Sequence, residues 1–441
     1  MFSAGGLYHI RDDHPIFYDL GYDYINLHSR GTPTIPLSPS DLLSPEFVNI
    51  SLRDYVSNVV KVQYLLGDNA ILPNMIWQAI EVHEESRQAV HLLSEIYSKR
   101  RESPQDPQHE VLCDVPFRDR VEELQVTLTA TGKCSSPDDA MAALHVVSVF
   151  LFDGGRGAWN IFLNVASAYV MALLENPKYY KNYAAALQAC SPKDEFIVKT
   201  TIWFDVLGSI TMQEQPRLLS AIRELFHPNR SFFGSNPNPS SSMMSPMGCE
   251  NVVVWALAEA SSLSCWKRAH KRKGTLSQRE LIRRAEEIED HLEAQISLPQ
   301  PQPSLEATEE SRVLASRIFR SSTKLFLQSI VNGDHPRVPE LRKCVDETFK
   351  YITDVSPANE NRPAIVRSTV FGIFLCGCLT DDPQQKRRLS LSLQQESGAD
   401  GVGNTSTVLR LLQDIWEMQE SSSRSSVPWR EQLRKAQILL V

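Results

Sequence analysis

The chain has 441 residues, of which 42% are hydrophobic and 22% are charged, a composition typical of globular proteins. That length suffices for several ordinary domains or for one large helical domain with insertions. The 45 basic and 53 acidic residues leave a net charge of −8. This balance argues against a chain whose whole surface binds nucleic acid by neutralising phosphates, although it allows a local basic patch.

The sequence also indicates in which cellular compartment the protein is expected. The N-terminal residues MFSAGGLYHIRDDHP lack the charged and then apolar pattern of a signal sequence, so secretion is not expected. The longest almost uncharged apolar run, residues 370–379, is shorter than the ~20 residues that cross a bilayer, and we expect no membrane partner. The eight cysteines are scattered along the chain, most of them separated by long gaps, which favours reduced thiols in the cytosol or nucleus.

Periodicity divides the chain into a leader and a helical domain. Residues 1–46 show no sustained period and carry four prolines between positions 32 and 45, so we predict an irregular leader. Residues 47–441 are predicted to form one helical domain with loop insertions near 227–247, 297–308 and 396–406. The first insertion is rich in Ser, Pro and Asn and is expected to be mobile.

Apolar residues at three- and four-residue steps predict helices over residues 54–66, 73–101 and 117–131. In the second of these, one face is apolar; it comprises Ile76, Ile80, Val90, Leu93 and Tyr97. Further helices are predicted at 179–189, 192–212, 249–267, 309–331, 339–353, 363–379, 407–418 and 429–440, and another begins at a capping box of Ser277 and Glu280.

The segment from Ser136 to Leu174 is predicted to be the core hairpin. Ser136, Pro137 and the acids Asp138 and Asp139 are typical of a helix start, because a hydroxyl caps and the helix dipole favours acids there. The residues that follow, AMAALHVVSVFLF, are apolar nearly all round and predict a central helix. The run Gly154-Gly155-Arg156-Gly157 then predicts a turn into a second apolar helix. No segment alternates like a strand, so the predicted fold is all-α, an irregular bundle of antiparallel helix pairs.

The sequence offers little for metal or catalytic chemistry. It contains no C-x2-C pair, and Cys376 and Cys378 lie in an apolar helix where successive residues diverge by about 100°, which favours buried thiols. There is no G-x-S-x-G elbow, and the glycine run lacks the lysine of a P-loop. We therefore predict no metal, no cofactor and no enzyme.

The alternatives are a helical enzyme of the isoprenoid-synthase type and a scaffold. The aspartate pairs that the enzyme would use are Asp12-Asp13, Asp138-Asp139 and Asp381-Asp382; each lacks a third aspartate one turn on, and the last is interpreted as a helix end before Pro383.

Two short motifs are candidate regulatory sites. Five cations lie within seven residues, which indicates a nuclear localisation signal, a solvated helix end or a contact to phosphates; they are Lys267, Arg268, Lys271, Arg272 and Lys273. Ser390 follows two arginines, as in sites of basophilic kinases.

Most tryptophans are expected to lie in the core. The alternative for Trp203 with Phe204, for Trp255 and for Trp266 is a position at the rim of a pocket.

Several blocks of this sequence together resemble the regulatory domain of fungal-specific transcription factors. In chain order they are WFDVLGSITMQEQPRLL, GCENVVVWALAEASSLSCWK, GTLSQRELIRRAEEIEDHL, RVLASRIFRSSTKLFLQSIVNGDHPRVPEL and VRSTVFGIFLCGCLTDDPQQKRRL, and VPWREQL also fits. They cover roughly residues 140–435, with a weaker match back to about residue 50.

The resemblance implies a helical regulatory domain in the nucleus that takes part in transcription by RNA polymerase II and has no catalytic residues. In that family, DNA is bound by a cluster of six cysteines around zinc, and no position of this sequence matches it. DNA is therefore expected as a partner only if a zinc cluster exists upstream. The expected partners are the transcription machinery or other regulators, with a small-molecule effector in a pocket between helices as a further option.

Overall fold

The computed structural model describes residues 52–68, 72–102, 110–130, 136–179, 182–228, 242–294, 307–421 and 428–441. These ranges hold 19 α-helices and no strand, which confirms the all-α prediction. The leader predicted at 1–46, including Asp12 and Asp13, lies outside the described residues.

The N-terminal helices differ from the prediction at one break. A π-helical turn, Tyr55–Val59, continues into α1 (Val60–Gln63), and α2 (Leu72–Val82), α3 (Glu84–Glu102) and α4 (Val115–Leu128) follow. The single helix predicted over 73–101 is thus two helices. His83 separates them because its Nδ1 accepts the backbone N–H of Ser86 at 3.2 Å, which caps the start of α3. The predicted apolar face is buried nevertheless.

The core hairpin forms as predicted from α5 (Pro137–Phe152) and α6 (Trp159–Leu174). At its start, the Asp139 N–H donates to Ser136 Oγ and the Ser136 N–H donates to Asp139 Oδ2, each at 3.0 Å, which is a reciprocal capping box. Between the helices, Gly154 and Gly155 have φ of 101° and 81°. Only glycine adopts this left-handed backbone without strain, which explains the tight turn.

The middle of the chain surrounds a helix that is buried over most of its length. It comprises α7 (Tyr183–Gln188), α8 (Pro192–Met212), α9 (Leu219–Phe226), α10 (Met244–Met247), α11 (Asn251–Arg272) and α12 (Gln278–Ala294). Helix α8 has the predicted bounds, and every residue from Phe196 to Thr211 is buried. Helix α9 was not predicted.

The insertion predicted at 227–247 is wrong at its C-terminal end. Residues 229–241 lie outside the described residues, but α10 is packed, with Met243 fully buried and Met247 8% exposed. Two methionines and a proline in this segment supply the apolar surface that holds it against the core.

The C-terminal half adds α13 (Ala307–Asn332), α14 (Pro339–Asp354), α15 (Arg362–Ser368), α16 (Val370–Leu379), α17 (Pro383–Asp400), α18 (Thr405–Ser421) and α19 (Trp429–Ala436). Residues 297–306 of the second predicted insertion lie outside the described residues, whereas 307 and 308 are helical.

Within the described ranges, no single helix is long and apolar enough to cross a membrane. Helices α15 and α16, which are bent by 64° relative to each other, meet the criteria of length and composition only as a pair. Every residue of α16 is buried in the fold.

Helix α17 corrects two predictions. The insertion near 396–406 is wrong, because α17 continues to Asp400 and only residues 401–404 separate it from α18. Asp382 begins this helix rather than ending the previous one, since its side chain accepts the Gln384 N–H at 2.7 Å. Gly401, with φ of 66°, closes the helix in the left-handed conformation that terminates many helices.

After α19 the last residues extend into the centre of the fold. The helix predicted to continue to residue 440 ends at Ala436, because Gln437 adopts φ of 49°. Beyond it, the Leu439 N–H donates to Gly155 O at 2.9 Å and Thr211 Oγ1 donates to Ile438 O at 2.7 Å. The C-terminal segment thereby joins the hairpin turn to α8.

Candidate ligand cavity and basic surface

A cavity of about 80 Å³ lies where the C-terminal end of α1, the hairpin, α8, α10, the α15–α16 bend, the 401–404 turn and the C-terminal segment meet. Its lining comprises Val62, Gln63, Tyr64, Leu65, Leu66, Leu151, Phe152, Trp203, Phe204, Pro246, Met247, Arg367, Ser368, Gly403, Asn404, Thr405 and Val441. A largely apolar lining with a few polar groups is a feature that small-molecule sites share.

The walls of the cavity are aromatic and fixed by packing. Trp203 meets Phe319 edge to face, with ring centroids 4.8 Å apart and planes at 90°. Tyr64 meets Phe196 in the same way at 4.9 Å. Such pairs contribute about 0.5–1.5 kcal/mol beyond the area they bury, so both rings are held in place before any molecule enters.

One end of the cavity is polar. Among the described residues that line it, Arg367 is the one formally charged side chain. Its Nη2 donates to Val402 O at 3.0 Å, which draws the guanidinium to the 401–404 turn. In the same turn, Asn404 Nδ2 donates to Leu439 O at 2.7 Å and to Val441 O at 3.2 Å. This end of the cavity is therefore polar and lies next to the C-terminal segment.

A buried hydrogen-bond chain adjoins the cavity through Gln63. Gln63 Oε1 accepts from the Tyr55 hydroxyl at 2.6 Å, and Gln63 Nε2 donates to Ser148 Oγ at 2.8 Å. His145 Nε2 lies 3.0 Å from Tyr55 Oη. Because the Tyr55 proton points to Gln63, we assign the proton of this second bond to His145 Nε2. Burial lowers the pKa of His145 to about 4, so the ring is neutral at pH 7.

The basic run is divided by the structure into two parts. Lys267 donates to Ile330 O, and Arg268 Nη1 donates to Gln213 Oε1 at 2.6 Å. Both side chains are half-buried, and burial lowers the pKa of Lys267, with the nearby Arg430 adding to the effect. These two cations thus join α11 to α13 and to the end of α8.

The other three candidate residues form an exposed patch. Lys271, Arg272 and Lys273 lie at the C-terminal end of α11 and are all solvent-exposed. Helix α11 was predicted to end at residue 267, but it continues through Arg272. Cations in a last turn interact favourably with the helix dipole, so this position is stable with or without a binding partner.

Ser390, the candidate phosphorylation site, lies within α17. It is half-buried, and its Oγ donates to Lys386 O at 3.0 Å. Arg387 and Arg388 are exposed on the same helix. Modification of this hydroxyl would require α17 to open locally.

The described aspartate pairs have structural partners. Asp138 accepts from Lys193 Nζ at 2.9 Å, and Asp139 forms the capping box of α5. Asp381 lies near two arginines, and Asp382 caps α17. A magnesium–diphosphate site needs carboxylates that converge on one ion, which these positions at the starts of two separate helices do not supply.

One mixed cluster has distances compatible with a metal ion. His83 Nε2 lies 3.3 Å from Glu85 Oε2 and 3.4 Å from Asp139 Oδ1. The same His83 caps α3 through its Nδ1, and Asp139 caps α5. Helix capping explains where His83 and Asp139 lie. The predicted buried thiols, Cys376 and Cys378, are indeed buried, and burial raises the pKa of both.

Sequence reasoning found only part of the cavity. Trp203 and Phe204 line it, as the pocket-rim alternative proposed, whereas Trp255 and Trp266 do not. Arg367 was missed, although a charged residue three positions before the apolar run of α16 was a visible signal.

Comparison with known proteins adds a family to this geometry. Residues 86–441 match the fungal specific transcription factor domain. Transcription factor ntnD of Nectria sp is 26% identical over 247 residues, which are 52% of this chain and 37% of that protein. The ustiloxin B cluster transcription factor ustR of Aspergillus flavus is 22% identical over 54% of this chain and 41% of its own length.

A third relative is covered more fully. The trichothecene biosynthesis transcription regulator TRI10 of Fusarium sporotrichioides is 22% identical over 63% of this chain and 66% of its own length. The matched part of this chain thus spans less than half of the first two relatives and about two thirds of the third. No solved structure matches the chain. The match over residues 86–441 covers most of the sequence, and the chain belongs to the fungal specific transcription factor domain family.

Proposed function

We propose that this protein is a transcriptional regulator of the fungal-specific type. The observation that carries the proposal is the family match over residues 86–441, which includes the core hairpin, helix α8 and the C-terminal segment. The relatives named above are transcription factors or regulators, which favours this role over an enzyme.

The protein acts through its helical domain in the nucleus, by contacts with the transcription machinery or with other regulators in RNA polymerase II transcription. The exposed patch at Lys271, Arg272 and Lys273 provides the charge for nuclear import, while Lys267 and Arg268 serve the fold. Contact with DNA comes from a partner or from a zinc cluster outside this sequence, because the printed sequence contains no C-x2-C pair.

The central cavity supports regulation by a small effector. It lies between elements from both halves of the chain, so an occupant contacts α1, α8 and the α15–α16 bend together. A molecule that binds one arrangement of these helices more tightly than another shifts the population toward it.

A tethering assay tests the regulatory role. The full chain is fused to an unrelated DNA-binding domain, and mRNA from a reporter gene with sites for that domain is measured. We expect reporter mRNA to differ from that obtained with the DNA-binding domain alone. The matched control is Leu439→Asp, which places a charge at a fully buried position and should abolish the effect by unfolding the domain. Equal reporter mRNA for the wild-type fusion and the bare DNA-binding domain would refute the proposal.

A further inference from the structure

We infer that Thr275 is phosphorylated by a basophilic protein kinase and that the phosphate masks the exposed patch at residues 271–273. The masking rests on the proposed function, because it takes this patch as the signal for nuclear import. The phosphorylation itself rests on the sequence and geometry of the loop between α11 and α12.

The sequence before Thr275 has the spacing that makes Ser390 a candidate. Two arginines lie three and two positions before Ser390, and Arg272 and Lys273 lie at the same two positions before Thr275. Ser103 also follows two arginines at this spacing, but it lies outside the described residues. A kinase that selects paired cations therefore has two targets in the described part of the chain, and the structure distinguishes them.

The two hydroxyls differ in exposure and in the backbone that carries them. Thr275 is exposed and lies in a loop, whereas Ser390 is half-buried within α17. A kinase has to align the acceptor hydroxyl with the γ-phosphate of ATP, so the segment around that hydroxyl must enter the kinase cleft. To expose Ser390, α17 must open on both sides of it. To expose Thr275 and the two cations before it, only the last turn of α11 must open, and helix ends open most easily.

The loop geometry places Thr275 directly outside α11. The Thr275 N–H donates to His270 O at 2.9 Å, and the Gly274 N–H donates to Lys271 O at 3.2 Å. These two bonds, with Gly274 at φ of 67°, form the pattern that ends many helices. Thr275 Oγ1 lies 2.9 Å from His270 Nδ1 in an exposed contact, and no described atom lies within 4 Å of a Cβ placed on Gly274. The acceptor hydroxyl is therefore open to solvent.

The reaction is the transfer of the γ-phosphoryl group from ATP, which the kinase binds. Thr275 Oγ1 attacks the γ-phosphorus, and a new P–O bond forms while the bond from this phosphorus to the β–γ bridging oxygen breaks. ADP leaves with the electrons of that bond, and the hydroxyl proton passes to a carboxylate of the kinase. The product carries a charge of about −1.5 to −2 at pH 7.

The phosphate would lie between two helix ends. On one side are the three positive charges of the exposed patch, of which the phosphate offsets at least about half. On the other side α12 begins, where Ser277 Oγ accepts the Glu280 N–H at 3.2 Å, and the N-terminal end of a helix favours negative charge. The fold thus accommodates the phosphate, while the patch loses the positive charge that an import receptor would bind.

The first test measures phosphate incorporation into the purified full chain. The chain is incubated with ATP and the catalytic subunit of cyclic-AMP-dependent protein kinase, which is basophilic, and modified residues are located by mass spectrometry. We expect Thr275→Ala to lower incorporation by about tenfold or more, because α17 seldom opens at Ser390. The matched control, Ser390→Ala, should incorporate phosphate as the wild type does. Phosphate mainly on Ser390, or equal incorporation by wild type and Thr275→Ala, would overturn the inference.

A second pair of variants tests recognition by the two cations. Arg272→Gln removes the cation three positions before Thr275 and should lower incorporation, whereas Arg387→Gln makes the same change before Ser390 and should have no effect. Both arginines are exposed, so neither change disturbs the core. Equal incorporation by the two variants would show that the cations before Thr275 do not direct the kinase.

The masking is tested by binding to importin-α, the receptor for basic import signals. Phosphorylation should weaken binding of the full chain by about tenfold or more, because the phosphate opposes the charge that the receptor recognises. Thr275→Ala treated with the same kinase should bind as the unmodified wild type does. Equal affinity of the phosphorylated and unmodified wild type would refute the masking. If a chain with alanine at residues 271–273 binds importin-α as well as the wild type, the import role of the patch is wrong and the masking with it, while Thr275 as the phosphorylation site is decided by the incorporation result.

Discussion

Acidification should reveal the buried histidine beside the cavity as a source of pH-dependent stability. His145 is fully buried on α5, and its Nε2–H donates to Tyr55 Oη. Burial lowers its pKa from 6.5 to about 4, because the surrounding helices do not solvate a charged imidazole. Replacing it by Gln keeps a donor toward Tyr55 and removes the titration.

The sign and size of the effect follow from linkage. The unfolded chain takes up the proton near pH 6.5 and the folded chain only near pH 4, so the neutral His145 supports the fold fully above pH 6.5. That support is lost as the pH falls toward 4. With these two pKa values, the loss is about 2 kcal/mol at pH 5 and about 3 kcal/mol at pH 4.

The assay is urea unfolding, followed by tryptophan fluorescence, of wild-type protein and His145→Gln at about pH 7.5 and about pH 5. Carboxylates titrate in both proteins, so their contribution cancels in the difference. We expect His145→Gln to be less stable than the wild type at pH 7.5. The difference between their free energies of unfolding should be smaller by about 2 kcal/mol at pH 5. His335→Gln, which alters a histidine outside the core, is the control and should show no such narrowing. A gap between wild type and His145→Gln that is the same at both pH values would refute the reasoning.

Two further predictions concern charged groups. Asp153 is 3% exposed and accepts a hydrogen bond from Arg100, so Asp153→Asn should lower the free energy of unfolding by about 3 kcal/mol in urea titrations. Glu431→Gln, which changes an exposed ion pair, should alter the free energy of unfolding by less than about 0.5 kcal/mol. Similar losses for the two variants would show that burial does not control the free energy lost when an ion pair is broken. Replacing residues 271–273 by alanine should move a fluorescent fusion from the nucleus to the cytoplasm, with at most a small drop in melting temperature from the lost contacts with the helix dipole. Unchanged nuclear signal would contradict the import role of the exposed patch.

Local signals in the sequence predicted the parts of the fold that local chemistry controls. The start of α5 was predicted from Ser136 and Asp139, and the structure shows the reciprocal capping bonds between them. The glycine turn was predicted in the same way, since its positive φ angles need residues without a side chain. The all-α class followed because no segment alternates with a period of two.

Elements that depend on distant contacts were missed. Helix α17 has a polar sequence, and its apolar contact rests on few side chains, such as Leu389 and Leu393. The break at His83 depends on a histidine cap, a residue type that sequence rules do not expect at a helix start. The cavity needs segments from residue 62 to residue 441 to converge, and spacing along the chain does not report that convergence.

The most direct measurement of the central claim is where the protein lies on chromatin in the living cell. An epitope-tagged full chain is cross-linked and immunoprecipitated, and the recovered DNA is sequenced alongside transcript profiles with and without the protein. A transcriptional regulator should be enriched at a discrete set of promoters whose transcripts change when it is removed, whether it contacts DNA itself or through a partner. Uniform background recovery, with unchanged transcripts after removal, would contradict the account.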